Sequence, residues 1–172
     1  CDIGTGSGLL GFWAVQAGAR HVYALESNSL IINEARYLAQ KNRWQDRITF
    51  INKNSLKAEL PEKVEVVVGE ILGPWGVDED ILKYYDDACR RFLKPSGLLV
   101  PSWLELYLLP VQNKKFWEEH ISLWSKHYHG IDFSAVRPSA LARYYYLQGD
   151  KQFKALAVPI RIARYDLYEH KP

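Results

Sequence analysis

The chain has no methionine and only two cysteines, Cys1 and Cys89, among its 172 residues. It does not open on an initiator residue, and Cys1-Asp2-Ile3 reads as the end of a buried strand. The natural protein is therefore expected to extend further toward the N-terminus. Neither cysteine stands at metal-ligand spacing from a histidine, and so sparse a set fits a reducing compartment. No apolar run reaches the roughly 20 residues needed to span a bilayer, and no signal peptide is visible, so no membrane association is expected. Net charge is only +2. Lys and Arg are spread along the chain without a basic patch, which argues against direct nucleic-acid binding. Internal repeats and low-complexity tracts are absent as well.

What is present suits a globular protein: 48% hydrophobic and 24% charged residues, enough for one domain or one domain and part of another. Residues 1–3 predict a strand end, Leu9–Ala17 a helix stopped by Gly18, and His21–Glu26 a short strand. Ser27 or Asn28 can cap a helix running to about Lys41. Arg47–Asn52 and Lys63–Val68 read as strands and Glu79–Leu93 as a helix. Lys94-Pro95-Ser96-Gly97 closes that helix before a strand at Leu98–Val100. This alternation predicts an α/β fold, a doubly wound parallel sheet, over residues 1–100. After Pro101 the pattern changes. Leu104–Val111 and Ala155–Tyr165 alternate as strands. Between them lie an aromatic-rich amphipathic stretch from Asn113 to Tyr128, Pro138, and a tyrosine run from Tyr144 to Tyr146.

Gly4, Gly6 and Gly8 fall between a strand and a helix, where glycines let the backbone approach a ligand and leave helix N–H groups free to bind it. Gly6-Ser7-Gly8-Leu9-Leu10-Gly11 matches the G-x-G-x-x-G of dinucleotide sites, a weak signal alone. The longer run Asp2-x-Gly4-x-Gly6-x-Gly8 instead resembles the first motif of class I S-adenosylmethionine methyltransferases. Glu26 ends the second strand, where a carboxylate can accept hydrogen bonds from ribose hydroxyls of either cofactor. The methyltransferase resemblance implies a loop of Asp2, Gly4, Thr5, Gly6, Gly8 and Leu9 around the methionine part of S-adenosyl-L-methionine. It implies further cofactor contacts from Glu26, Ser27, Asn54 and Ser55, the last two near adenine. The alternative for Asn54 and Ser55 is a tight turn of solvated polar residues.

Gly69-Glu70-Ile71-Leu72-Gly73-Pro74-Trp75-Gly76-Val77-Asp78-Glu79 follows the fourth strand, in the crevice where open α/β sheets hold ligands. Here the chain resembles the protein arginine N-methyltransferases, whose "double-E" hairpin carries two glutamates around a glycine-containing loop. Glu70 and Glu79 fall on those positions. Val22–Ser27, Leu60–Lys63, Tyr85–Leu93, Lys94–Gly97 and Pro101 extend the likeness, which is clear from Cys1 to about Val111. It implies Glu70 and Glu79 as the arginine-holding pair, with Glu70 also beside the cofactor. Other implications are S-adenosyl-L-homocysteine as product, no metal and an arginine-containing protein or peptide as substrate. Location would be intracellular, in cytoplasm or nucleus. Two carboxylates suit a guanidinium, which stays protonated and offers a planar fork of donors.

Alternatives remain at several positions. Asp78, Glu79 and Asp80 also suit the positive end of a helix dipole, and Asp78 or Asp80 could replace Glu79 as the second acid. Trp75 suits either a cation–π wall or loop packing. Gly69 departs from the family, which usually has Ser there. The family's N-terminal helices and its later barrel loop with His and Trp are not found, so the chain is expected to be truncated at both ends. In family terms, residues 1–100 form a truncated Rossmann-like cofactor domain. Residues 101–172 begin a β-barrel substrate domain with an inserted dimerisation arm at about 113–140, which implies a homodimer. Phe116, Trp117, Trp124 and Tyr128 would suit such an interface or packing within the barrel. His120, His127 and His129 read as surface or aromatic-cluster residues, with no acid or cysteine spacing to make a metal site. Two rival functions stay open: a class I methyltransferase for a small molecule, which would not need both glutamates, and a non-catalytic scaffold of the same fold.

Overall fold

The computed structural model describes residues 1–145 and 153–168. They fall into two compact units, one comprising Cys1–Leu106 with the described residues from Ala163 onward, the other Tyr107–Ile162.

The first unit begins with β1 (Asp2–Ile3), α1 (Leu9–Gln16), β2 (Val22–Leu25), α2 (Ser29–Lys41), β3 (Ile48–Ile51) and β4 (Val64–Val68). α3 (Ile81–Arg91) and β5 (Leu93–Val100) follow. The strands form one sheet in the order β3-β2-β1-β4-β5, and every neighbouring pair is parallel. The chain winds outward from β1 to β3, then returns to place β4 on the other side of β1. The switch point lies between β1 and β4, where ligands of such sheets bind beyond the strand C-termini.

Strand alternation sorts the core. Val22 and Ala24 of β2 pack with Phe12, Val15, Ala39 and Ile48 on the α1 and α2 side. Tyr23 and Leu25 face the other way, into the cluster of Ile3, Val67, Tyr85, Ala88, Phe92 and Leu99. A sheet covered on both faces needs this period-two division, which appears in the sequence as nearly unbroken apolar strands. Tyr85 and Ile81 of α3 are fully buried, and burying a side chain of that size contributes about 1.5–3 kcal/mol.

Helix ends follow local chemistry. Asn28 caps α2, its side-chain oxygen accepting from Leu30 N and Ile31 N at 3.0 and 3.3 Å. α1 ends at Gln16, and Gly18 just past its C-cap has a φ of 99° that only glycine adopts cheaply. α3 starts two residues later than its acidic run suggests: Asp80 stands before it at φ 61°, with no acid in the first turn. β5 is longer than expected. Leu93 pairs with Val64 and Leu98 with Val66, so Lys94–Gly97 bulges within the strand instead of closing the helix. A Cβ at Gly97 would sit 2.5 Å from Leu93 Cδ1, which explains the glycine there.

β6 (Trp103–Leu108) pairs with β11 (Ile160–Asp166). Arg164 lies 3.5 Å from Glu105 and stacks 5.2 Å from the Trp103 ring centroid. In the second unit, β7 (Val111–Gln112) pairs antiparallel with β10 (Lys154–Ala155). Between these lie α4 (Lys114–His120), the hairpin of β8 (His127–Tyr128) and β9 (Ile131–Asp132), and α5 (Arg137–Leu141). Phe116 stacks on His120 at 4.4 Å and meets Tyr145 edge-on at 4.9 Å. Tyr146, the last of the tyrosine run, lies outside the described residues.

Candidate active site

The glycine loop is built around Asp2. This residue is fully buried, and its Oδ2 accepts from Thr5 Oγ1 at 2.5 Å and Gly11 N at 3.1 Å. Thr5 N in turn donates to Leu25 O at 2.9 Å. Gly4, Gly6 and Gly8 have φ of 68°, 53° and 92°, and such a succession of left-handed residues costs a side chain at each step. A Cβ at Gly8 would lie 2.7 Å from the Phe12 ring. Burial pushes the Asp2 carboxyl above the usual aspartate range, against the Thr5 and Gly11 hydrogen bonds that pull it down.

Glu26, just beyond β2, joins this loop to α2. Its Oε2 accepts from Gly6 N at 3.1 Å and its Oε1 from Asn28 N at 2.8 Å. Oε1 also accepts from Ser27 Oγ at 3.4 Å, so Oε2 is the oxygen that keeps a lone pair for a further donor.

An open cavity of about 350 Å³ lies beyond the C-termini of β1, β2 and β4. Six residues proposed from sequence as cofactor contacts line it: Gly4, Glu26, Ser27, Asn54, Ser55 and Glu70. Glu79 lines it too. Asp2, Thr5, Gly6, Gly8 and Leu9 do not. Asp2 and Thr5 are buried beneath the loop, and Leu9 is half-exposed at the start of α1. Ser55 is buried and its hydroxyl has no hydrogen-bond partner among the described residues. Asn54 is already engaged, its Oδ1 accepting from Leu56 N at 3.0 Å while its Nδ2 donates to Tyr84 OH at 3.0 Å.

Sequence reasoning did not name Lys53 or Tyr84, yet both line the cavity, as do Ile3, Leu25 and Ile71. Tyr84 is visible only in hindsight, as the first-turn residue of α3 that stands opposite the end of β3. A cavity of similar size, about 360 Å³, lies at the other end of the sheet among Cys1, Val22, Val64 and Val66. Its acids are Glu62 and Glu65, and it lacks Gly4, Glu26, Glu70 and Glu79.

The acidic loop separates its three candidate acids. Asp78 Oδ1 accepts from Trp75 N at 2.8 Å and so closes the turn. Gly73 and Gly76 have φ of 54° and 74°, and Gly76 N donates to Gly73 O at 3.2 Å. A Cβ at Gly73 would meet Asp78 Oδ1 at 2.6 Å and Glu79 Cγ at 2.9 Å, so the Glu79 stem passes directly over this glycine. Asp80 precedes α3 and does not line the cavity. Glu70 and Glu79, both exposed, thus border one cavity from the two ends of the loop. Trp75 is half-exposed and does not line it. Among the described residues, no group of three or more His, Cys, Asp or Glu is placed to hold a metal. No helix among them is long and apolar enough to cross a membrane.

Residues 1–104 match the family model described as ribosomal protein L11 methyltransferase (PrmA). The chain is 34% identical over 148 residues to histone-arginine methyltransferase CARMER of Drosophila persimilis, covering 84% of this chain and 28% of that protein. The corresponding protein of Drosophila melanogaster, named as a probable histone-arginine methyltransferase, matches to the same extent. The chain therefore spans a little over a quarter of these relatives' length. Among solved structures, protein arginine methyltransferase 10 of Arabidopsis thaliana is similar at TM-score 0.74 and 27% identity, over 98% of this chain and 54% of that one. The Trypanosoma brucei PRMT1 enzyme-prozyme complex with AdoHcy shares the fold at TM-score 0.83 and 22% identity, over 99% of this chain and 53% of that one. The chain belongs to the methyltransferase family that the matching model describes, and it is similar to histone-arginine and protein arginine methyltransferases over part of their length.

Proposed function

We propose that the protein transfers a methyl group from S-adenosyl-L-methionine to a guanidinium nitrogen of arginine in a protein or peptide, releasing S-adenosyl-L-homocysteine. The observation that carries this reading is that Glu70 and Glu79 border the same cavity as Glu26. A small-molecule methyltransferase needs the glycine loop and Glu26 but not a second pair of acids across from them.

The residues fit the cofactor. Glu26 Oε2 keeps a lone pair for a ribose hydroxyl, the glycine loop leaves backbone space, and the buried Ser55 hydroxyl has no partner among the described residues. Bound there, the cofactor supplies an electrophilic methyl on a sulfonium. Glu70 and Glu79 bind the guanidinium by charge-assisted hydrogen bonds and fix one terminal nitrogen toward that methyl. Their charge draws positive density toward the bound nitrogens and leaves the attacking lone pair more available. Asp2 acts beneath the loop, holding its shape through Thr5 and Gly11.

In this reading residues 1–100 are the cofactor domain and 101–172 begin a β-barrel substrate domain. The 113–140 segment is an arm that pairs two copies, and the protein works inside the cell, in cytoplasm or nucleus. Mass spectrometry of arginine-rich peptides incubated with the full-length protein and isotope-labelled cofactor tests the proposal. Label on arginine supports it. Label confined to small molecules, or no transfer despite cofactor binding, rejects it.

A further inference from the structure

We propose that Tyr85 is a positioning residue for Glu70, locking the peptide unit from which that glutamate springs; this rests on the reading of Glu70 as an arginine-holding acid. Tyr85 lies in the first half of α3 with its side chain fully buried. Its hydroxyl sits 3.0 Å from Gly69 O and 2.7 Å from Val100 O. Gly69 N donates to the same Val100 carbonyl at 3.2 Å. Both polar backbone groups of Gly69 are therefore engaged, the N–H by β5 and the carbonyl by α3, whose Tyr85 hydroxyl shares its one proton between Gly69 O and Val100 O.

The geometry matters because residue 69 is glycine. β4 ends at Val68, and Gly69 carries the chain from the sheet toward the cavity. A Cβ at this position would lie 2.8 Å from Ile3 O and 3.3 Å from Tyr85 OH, so the backbone passes close against β1. A glycine fits that space but leaves its own ψ weakly restrained. The Gly69 carbonyl and the Glu70 N–H belong to one planar peptide unit. Fixing the carbonyl fixes the plane, and with it the N and Cα of Glu70 from which the side chain departs.

Tyr85 is suited to hold that plane. Burial and the nearby Asp2 charge push its hydroxyl further above the ordinary tyrosine range, so it remains a donor throughout the working pH. Its ring is clamped in the core formed by Ile3, Val67, Ala88 and Leu99. Tyr85 does not line the cavity and acts only through Glu70.

The test is Tyr85→Phe in the full-length protein, which keeps the ring and removes the hydroxyl. Three readouts are compared with wild type: cofactor affinity by calorimetry, kcat and KM for an arginine peptide, and amide exchange in the segment 69–79. We expect kcat/KM for the peptide to fall roughly tenfold and exchange in 69–79 to quicken by a similar factor, with cofactor affinity held within about twofold. In a Glu70→Gln background the same substitution should lower kcat no further, because the two residues act as a unit. Unchanged exchange at 69–79 overturns the proposal whatever the activity. So does a parallel loss of cofactor affinity and turnover, the mark of general destabilisation. If exchange quickens but wild type shows no arginine methylation, the arginine reading fails while the lock on residue 70 stands.

Discussion

The backbone N–H of Gly6 donates to Oε2 of Glu26 at 3.1 Å, so the glycine loop and the acid beyond β2 are one hydrogen-bonded unit. Glu26 holds the loop, and in the proposed function its Oε2 also offers a remaining lone pair to the cofactor. Glu26→Ala removes both. Cofactor affinity should fall about ten- to hundredfold, the usual loss for hydrogen bonds to a charged group. Isothermal titration with S-adenosyl-L-homocysteine checks it, and an unchanged Kd would remove Glu26 from the ribose site.

Glu70→Gln and Glu79→Gln keep side-chain size and discard charge. Each should lower methyl transfer to an arginine peptide by at least about a hundredfold, since orientation and field are lost together. Cofactor affinity should survive in the Glu79 variant, because the glycine loop is held by Asp2 and Glu26 and not by Glu79. Asp78→Asn and Asp80→Asn separate the acids further. Asp80 does not line the cavity, so its variant should turn over like wild type. Full activity in Glu79→Gln combined with loss in Asp80→Asn would reverse the assignment.

Much of this arrangement is legible along the chain, and what is not has identifiable physical causes. The Gly18 stop is a local event that residue type locates, and residue type narrows the α2 cap to Ser27 or Asn28, of which Asn28 makes the bonds. The start of α3 is not local. Asp78, Glu79 and Asp80 have the composition of a helix first turn, but Asp78 is drawn back to Trp75 N and two left-handed glycines tighten the loop ahead of it. The strand expected over Leu104–Val111 divides into β6 and β7 around Pro110, which has no N–H to give a ladder. Glu70 and Glu79 stand out by their spacing. Lys53 and Tyr84 do not, because only the parallel pairing of β2 with β3 and the packing of α3 bring them to the cavity.

Gly73→Ala probes the loop without touching an acid. The residue has φ +54°, and a new Cβ would lie 2.6 Å from Asp78 Oδ1 and 2.9 Å from Glu79 Cγ. Left-handed strain alone costs about 1–2 kcal/mol, and the crowding displaces the Glu79 stem. We expect a modest drop in Tm, cofactor affinity like wild type, and a loss of peptide turnover larger than the stability change explains. Turnover equal to wild type in the folded variant would show that Glu79 does not depend on this path.

Arg91 ties α3 to the turn after β3. Its Nη1 and Nη2 donate to Ala58 O and Ser55 O, each at 2.6 Å, while Asp87 grips the guanidinium at 2.9 and 2.6 Å. Arg91→Lys keeps the charge but cannot reach both carbonyls from one planar fork. Urea denaturation should show a loss of about 1–3 kcal/mol, and cofactor affinity should weaken because Asn54 and Ser55 lose their support. A loss of stability with affinity unchanged would separate the turn from the nucleobase end of the cavity.

Asp2 makes a prediction about pH whose sign follows from burial. Desolvation raises its folded-state pKa above the ordinary value of 3.8, with the Thr5 and Gly11 hydrogen bonds opposing. The folded state therefore holds this proton more tightly than the unfolded chain does. The resulting stability is fully present below the unfolded value, and it is lost as pH climbs through the raised folded value. Other carboxylates titrate in the same range, so the effect is read as a difference between wild type and Asp2→Asn. Denaturation free energies measured from roughly pH 4 upward should show wild type losing ground to the variant as pH rises, then levelling once Asp2 is ionised. A difference that moved the other way would mean that Thr5 and Gly11 outweigh desolvation, and that the loop is held by a stabilised carboxylate.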